Sequence, residues 1–273
     1  MDEGKFFNIN AVLKNVFQSL DQNCHGKTPN LVFVFSKTVP CQMKGDVSTL
    51  YKLLFKTLKE ILHNECSTEI LLSIDAPEEF MYREPVSFRI SNIPVKEEQI
   101  MPALFELLSK DLVRLDGSLA YSETNGGSIE ITIPLNTAEL GCRRHYRLPS
   151  KSILNKNILL LIQGNNLALS LTQMFKYFPM NVDVCINRYK EKYHLREYDL
   201  VLIEDTLLDI DLHELMREAQ STSDVQFVLL GNGDVYKEGD SSKLHTAYLE
   251  KPVTQESVYK LFLELYDELP TLT

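Results

Sequence analysis

Residues 198–209, YDLVLIEDTLLD, decide the fold of the C-terminal half, and Glu250-Lys251-Pro252 completes what they begin. Four apolar residues in a row, Leu200 to Ile203, run straight into two acids, Glu204 and Asp205. A short apolar run bounded by polar residues predicts a strand buried on both faces, as in a parallel sheet. Open sheets of this kind gather ligands beyond the carboxyl ends of their strands, so both acids are candidate site residues. Lys251, just after Ala247-Tyr248-Leu249, brings a positive charge to the same edge from a neighbouring strand. Acid and lysine at adjacent strand ends form a pocket for a phosphate, or for one another. Alternation points Asp205 into the face opposite to Glu204.

Around this stretch, strand and helix alternate. The expected strands are 158–162, 182–186, 200–203, 226–230 and 246–249, the pattern of an α/β doubly wound five-stranded parallel sheet. Leu167, Leu171, Met174, Phe175 and Phe178 give the first helix a buried face, and Leu212, Leu215, Met216 and Ala219 do the same for the third. Val258, Leu261, Phe262 and Leu265 do so for the last, with Thr254 as its cap. Residues 231–243, where a fourth helix belongs, are rich in Gly, Asp and Ser, so that helix is expected to be short or disordered.

The N-terminal half reads differently. Apolar residues at helical spacing predict a helix over 8–20, followed by a buried strand at Leu31–Phe35. Gly45-Asp46 introduces a second helix, with Asp46 its expected cap and Leu50, Leu53, Leu54, Leu58, Ile61 and Leu62 on one face. Strands follow at 69–74 and 86–90, then a helix over about 97–115, then a hairpin of 119–121 and 128–133 turning at Asn125-Gly126-Gly127. Helices segregated from an antiparallel sheet make an α+β two-layer sandwich. The expected organisation is a domain over 1–136, a linker over 137–156 carrying Arg143, Arg144, Arg147 and Lys151, and a domain over 157–273. The basic cluster reads as a solvated tether.

A chain of 273 residues fits two domains, and 44% apolar content suffices for two cores. The net charge of −10 argues against non-specific contact with nucleic acid or an acidic membrane surface. No apolar run reaches the length of a membrane span, and the first residues do not form a signal peptide, so a cytoplasmic protein is expected. Five widely spaced cysteines without a CxxC pair read as reduced thiols. The six histidines are too scattered to suggest a metal site, and no residues fall into a nucleophile–base pattern. No catalytic residue, metal or cofactor is expected.

The C-terminal half resembles a receiver domain of two-component signalling, which is flavodoxin-like. The resemblance implies a phosphate-accepting aspartate where Glu204 stands. It implies magnesium-binding acids after the first strand, where this sequence has Gln163-Gly164-Asn165-Asn166. It implies a hydroxyl residue after Val228-Leu229-Leu230, where Gly231 stands; Lys251 and Pro252 match the pattern. Glu204 beside Lys251 is then either a structural ion pair or a standing imitation of a phosphorylated aspartate.

The first half resembles the ATP-binding domain of histidine kinases. Phe7-Asn8-Ile9, Gly45-Asp46 before Leu50, residues 109–117 (SKDLVRLDG) and 127–135 (GSIEITIPL) carry the likeness over nearly its whole length. The resemblance implies two asparagines on the nucleotide helix, at positions held here by Lys56 and Glu60. It implies an aspartate-glycine motif after 88–91, where Asn92 leads into Ile93-Pro94. It also implies a glycine-rich lid, yet no glycine occurs between Gly45 and Gly117. The chain therefore resembles the C-terminal part of a hybrid histidine kinase whose chemistry has been lost. The expectation is a catalytically inactive signalling module that binds a kinase, receiver or phosphotransfer protein as a scaffold or allosteric regulator. The alternatives are a self-assembly module, forming a homo-oligomer, and a divergent ATP-binding kinase or ATPase.

Overall fold

The computed structural model describes residues 4–23, 31–40, 42–64, 69–93, 96–123, 127–137, 154–187, 194–231 and 246–266. The chain divides into two compact units, Met1–His145 and Tyr146–Thr273.

In the first unit the strands are β1 (Lys5–Asn8), β2 (Leu31–Phe35), β3 (Gln42–Gly45), β4 (Ile70–Asp75), β5 (Arg83–Ser91), β6 (Ser118–Ser122) and β7 (Ser128–Asn136). The helices are α1 (Ile9–Asn23), α2 (Val47–Asn64) and α3 (Glu97–Leu115). The sheet runs β1-β3-β7-β5-β4-β2, with β6 also on β7. Among the described strands of this unit only β2 and β4 pair in parallel. Strict alternation sets one face of the sheet: Ile70, Leu72 and Ile74 of β4 and Val86, Phe88 and Ile90 of β5 are buried, with more exposed residues between them. The apolar stripes of the helices complete this core, α3 contributing Ile100, Leu104, Leu108 and Leu112. Helix α3 stops where Asp116 takes a left-handed conformation (φ 55°) and the Gly117 N–H returns to the Leu112 carbonyl at 2.9 Å.

Two short strands depart from the sequence expectation. Asn8 belongs to β1 rather than to the first helix, and Gln42–Gly45 forms a strand ahead of α2. They pair with one another, Phe6 opposite Lys44 and Phe7 opposite Met43. Four-residue strands are too short for their alternation to stand out, and only the partner makes them visible. Asp46 caps α2 as expected, accepting from the Thr49 N–H at 3.0 Å and the Thr49 hydroxyl at 2.8 Å. β6 and β7 pair as the expected hairpin, Ser122 opposite Ser128, while Asn125 and Gly126 of its turn lie outside the described residues.

The second unit contains β8 (Asn157–Ile162), β9 (Asn181–Ile186), β10 (Leu200–Glu204), β11 (Gln226–Gly231) and β12 (Thr246–Glu250), with α4 (Asn165–Tyr177), α5 (Ile210–Thr222) and α6 (Gln255–Tyr266). All pairings are parallel, in the order β12-β11-β10-β8-β9. Parallel strands covered on both faces become continuous apolar runs, and β10 is buried at all five positions. One face, with Leu159, Leu161, Val201, Ile203, Phe227 and Leu229, packs on Leu212, Met216 and Ala219 of α5. Helices α4 and α6 meet through Phe262, whose ring stands edge-on to Phe175 (5.6 Å) and Phe178 (5.2 Å). Gln255 Nε2 donates to the Met174 carbonyl at 3.0 Å, tying the start of α6 to the end of α4. The Ser257 N–H donates to Thr254 Oγ1 at 3.2 Å, the expected cap. Leu215, expected in the core, is instead 36% exposed, because α5 turns only its 212, 216 and 219 positions inward. The segment expected to hold the fourth helix lies almost wholly outside the described residues.

At the amino edge of this sheet, Asp199 accepts from Lys156 Nζ at 2.7 Å and from the Asn157 N–H at 2.8 Å. Burial alone would raise the Asp199 pKa, but these two hydrogen bonds and the lysine charge outweigh it and hold the carboxyl below its usual range. A depressed folded pKa adds stability above the unfolded value of about 4, and that stability is lost as pH falls through the folded value. Asp199→Asn is therefore expected to be less stable than the native chain at neutral pH, the gap closing at acid pH. Urea midpoints measured across pH check this; a gap that is constant with pH contradicts it.

Candidate functional site

Register brings the carboxyl ends of β8, β10, β11 and β12 to one edge. Ile203 stands opposite Leu161 on one side, Glu204 opposite Leu230 on the other, and Gly231 opposite Glu250. The Lys251 N–H donates to the Gly231 carbonyl at 2.9 Å, which extends the ladder by one residue and aims the lysine back across β11.

Glu204 is the centre of the edge. It is 6% exposed. Lys251 Nζ donates to its Oε1 at 2.5 Å, and the Gln163 N–H donates to its Oε2 at 2.7 Å. Both carboxylate oxygens are thus occupied by charge-assisted hydrogen bonds, the strong class of such bonds. Gln163 is held in turn, its Oε1 accepting from the Thr206 hydroxyl at 3.2 Å. Gly164 serves as the residue before α4 and supplies its carbonyl to the Ala168 N–H at 3.0 Å.

Asp205 leaves the strand and starts a single 3-10 turn, Asp205–Leu207. Its carboxylate lies over Gly231: a Cβ built on that glycine would fall 2.7 Å from Asp205 Cγ and 2.8 Å from the Tyr248 hydroxyl. The bare glycine therefore leaves room for an acid and a phenol. A side chain at 231 would displace both, which the flexible ends of Asp205 and Tyr248 allow.

The structure thus brings together Glu204, Lys251 and Gln163 through direct bonds, and Asp205 and Gly231 by contact. Thr206 and Tyr248 belong to the same edge and carried no sequence signal of their own; only the end-of-strand position marks them. Among the described residues no cluster of three or more His, Cys, Asp and Glu side chains could hold a metal ion.

The three positions singled out in the first unit have separate surroundings. Lys56 Nζ binds Asp111 Oδ2 at 2.7 Å, linking α2 to α3. Asn92 sits in a left-handed conformation (φ 63°) and donates from its side chain to the Glu69 carbonyl at 3.3 Å. Glu60 is half-buried on α2 one turn beyond Lys56. No hydrogen bond joins Lys56 to Asn92.

No family model matches the sequence, and no curated protein matches it. Solved structures do. Full-length ShkA in complex with AMPPNP, a hybrid kinase, superposes with a TM-score of 0.66 at 15% identity, covering 96% of this chain and 57% of that one. This chain therefore spans little more than half the length of ShkA. The catalytic domain of histidine kinase ThkA (TM-score 0.36, 16% identity, 50% of this chain and 99% of that one) and the ATP-binding domain of PrrB from Mycobacterium tuberculosis (0.37, 15%, 50% and 100%) are also found. The likeness to ShkA carries the fold: a histidine-kinase-type ATPase-like sandwich followed by a receiver-like doubly wound sheet, as the sequence predicts. Among the described residues no helix is long and apolar enough to cross a membrane.

Proposed function

We propose that this chain is a catalytically inactive signalling module of two-component type, which acts by binding a kinase, receiver or phosphotransfer protein as a scaffold or allosteric regulator. The observation that carries this reading is the closed state of the Glu204 carboxylate. A phosphoryl acceptor needs a carboxylate oxygen free to attack phosphorus. Here one oxygen is on Lys251 and the other on the Gln163 N–H. The first unit supports the same reading. Lys56 is committed to Asp111, so the nucleotide-helix position serves helix packing. The sequence has no glycine between Gly45 and Gly117 from which to build a glycine-rich lid, whose backbone N–H groups would approach phosphate.

The test is calorimetric titration of the chain with Mg-ATP, paired with incubation in acetyl phosphate and measurement of intact mass. The expected result is no heat at micromolar to millimolar nucleotide and no phosphoryl adduct. Binding near micromolar strength would overturn the inactive reading and restore the enzyme alternative, with Glu60→Ala and Asn92→Ala the variants to follow.

A further inference from the structure

Helix α3 turns Ile100, Leu104, Leu108 and Leu112 into the core of the first unit. Away from them Pro102, Phe105, Ser109 and Val113 are exposed, Phe105 by 49% and Val113 by 83%. At the pitch of an α-helix these four positions fall within an arc of about 80°, with Pro102 and Val113 about 20° apart. They form one line about 16 Å long, and no charged side chain between Pro102 and Val113 falls inside the arc. A lone exposed apolar residue calls for no explanation, whereas several aligned on one face of a helix mark a contact site. Glu106 and Lys110 stand one turn apart along one flank of this line, both exposed. Neither is held by an ion pair among the described residues.

The order of the charges selects the occupant. A partner helix of one sign would attract either Glu106 or Lys110 and repel the other. A second copy of α3 laid antiparallel satisfies both. The two-fold axis of such a pair keeps each flank on its own side, so Glu106 of one copy stands beside Lys110 of the other, twice. The same axis sets Phe105 against the small Ser109 of the other copy and Pro102 near its Val113. Parallel pairing would put the two charged flanks on opposite sides of the pair, where they do not meet. We propose that this face of α3 is a self-association surface, on which two copies of the chain pair through antiparallel α3 helices. Antiparallel alignment also sets the two helix dipoles head to tail. One helix per copy buries less than the roughly 1,200 Å² of a stable interface, so the pairing is weak and grows with concentration. The contact does not depend on whether the chain binds nucleotide, so its test stands apart from the titration above.

The test is sedimentation velocity of the whole chain from about 5 to about 500 µM in physiological salt, which screens its net charge of −10 beyond about 8 Å. The mass is expected to rise from that of one chain towards that of two. Val113→Lys is expected to weaken the pairing about 10-fold. Ile210→Lys makes the same change at a residue of α5 that is 79% exposed, and is expected to stay within about 2-fold of native. Glu106→Lys and Lys110→Glu are each expected to weaken the pairing about 5-fold, because each sets two like-charged pairs in contact. The exchange Glu106→Lys/Lys110→Glu restores two opposite-charge pairs and is expected to return to within about 2-fold of native. Circular dichroism checks that every variant keeps its fold. The mass of a single chain at every concentration would overturn the proposal. So would pairing indifferent to Val113→Lys, or a double exchange that pairs no more tightly than the single ones.

Discussion

Lys251→Met is expected to destabilise the C-terminal unit by about 3 kcal/mol, because it leaves a buried carboxylate without its counter-charge. Glu204 cannot turn to solvent to recover hydration: it is 6% exposed, and the Gln163 N–H keeps its second oxygen in place. The informative comparison is the double variant Glu204→Leu/Lys251→Met. Removing both charges removes the unpaired group, and buried ion pairs replaced by apolar residues of similar size are often neutral or even stabilising. The double variant is therefore expected to regain most of the loss. Urea denaturation of the four proteins in this cycle gives the coupling. A single variant within about 1 kcal/mol of native would place the pair with surface salt bridges and remove the strongest reason for regarding the pocket as closed.

Phe262→Ala is expected to cost about 3–5 kcal/mol, the range for deleting a fully buried aromatic side chain. The ring touches Phe175 of α4 and Phe178 just beyond it, so its loss opens a cavity between the two helices on that face of the sheet. The same loss loosens α6, whose first residues follow Lys251 and Pro252. Chemical denaturation checks the size of the effect. A loss below about 1.5 kcal/mol would mean that Tyr259 and Tyr266 refill the space.

The two predictions separate two layers of the molecule. The phenylalanine cluster holds the helices to the sheet. The glutamate–lysine pair ties the carboxyl ends of β10 and β12 together across β11.

The sequence by itself determined the elements whose pattern is long or extreme. The three central parallel strands were legible because a strand covered on both faces must be apolar nearly throughout, as Leu200 to Ile203 are. Helix α3 was legible because its buried positions repeat over five turns and its end is marked by Asp116-Gly117. The site was half legible: Glu204 and Lys251 stand at strand ends, and strand ends converge in a parallel sheet. What only the tertiary structure decided is where short or polar pieces go. Strands β1 and β3 exist because each is the other's partner across the edge of a sheet, which no four-residue window can show. Leu215 looked like core because its spacing fits the buried stripe of α5, but the helix is rotated so that 212, 216 and 219 face the sheet. Asp205 over Gly231, and Tyr248 beside them, follow from the register of β10, β11 and β12, a contact among residues up to 43 positions apart. Local pattern reports which face of an element is apolar; only packing reports what meets that face, and the function proposed here depends on the second.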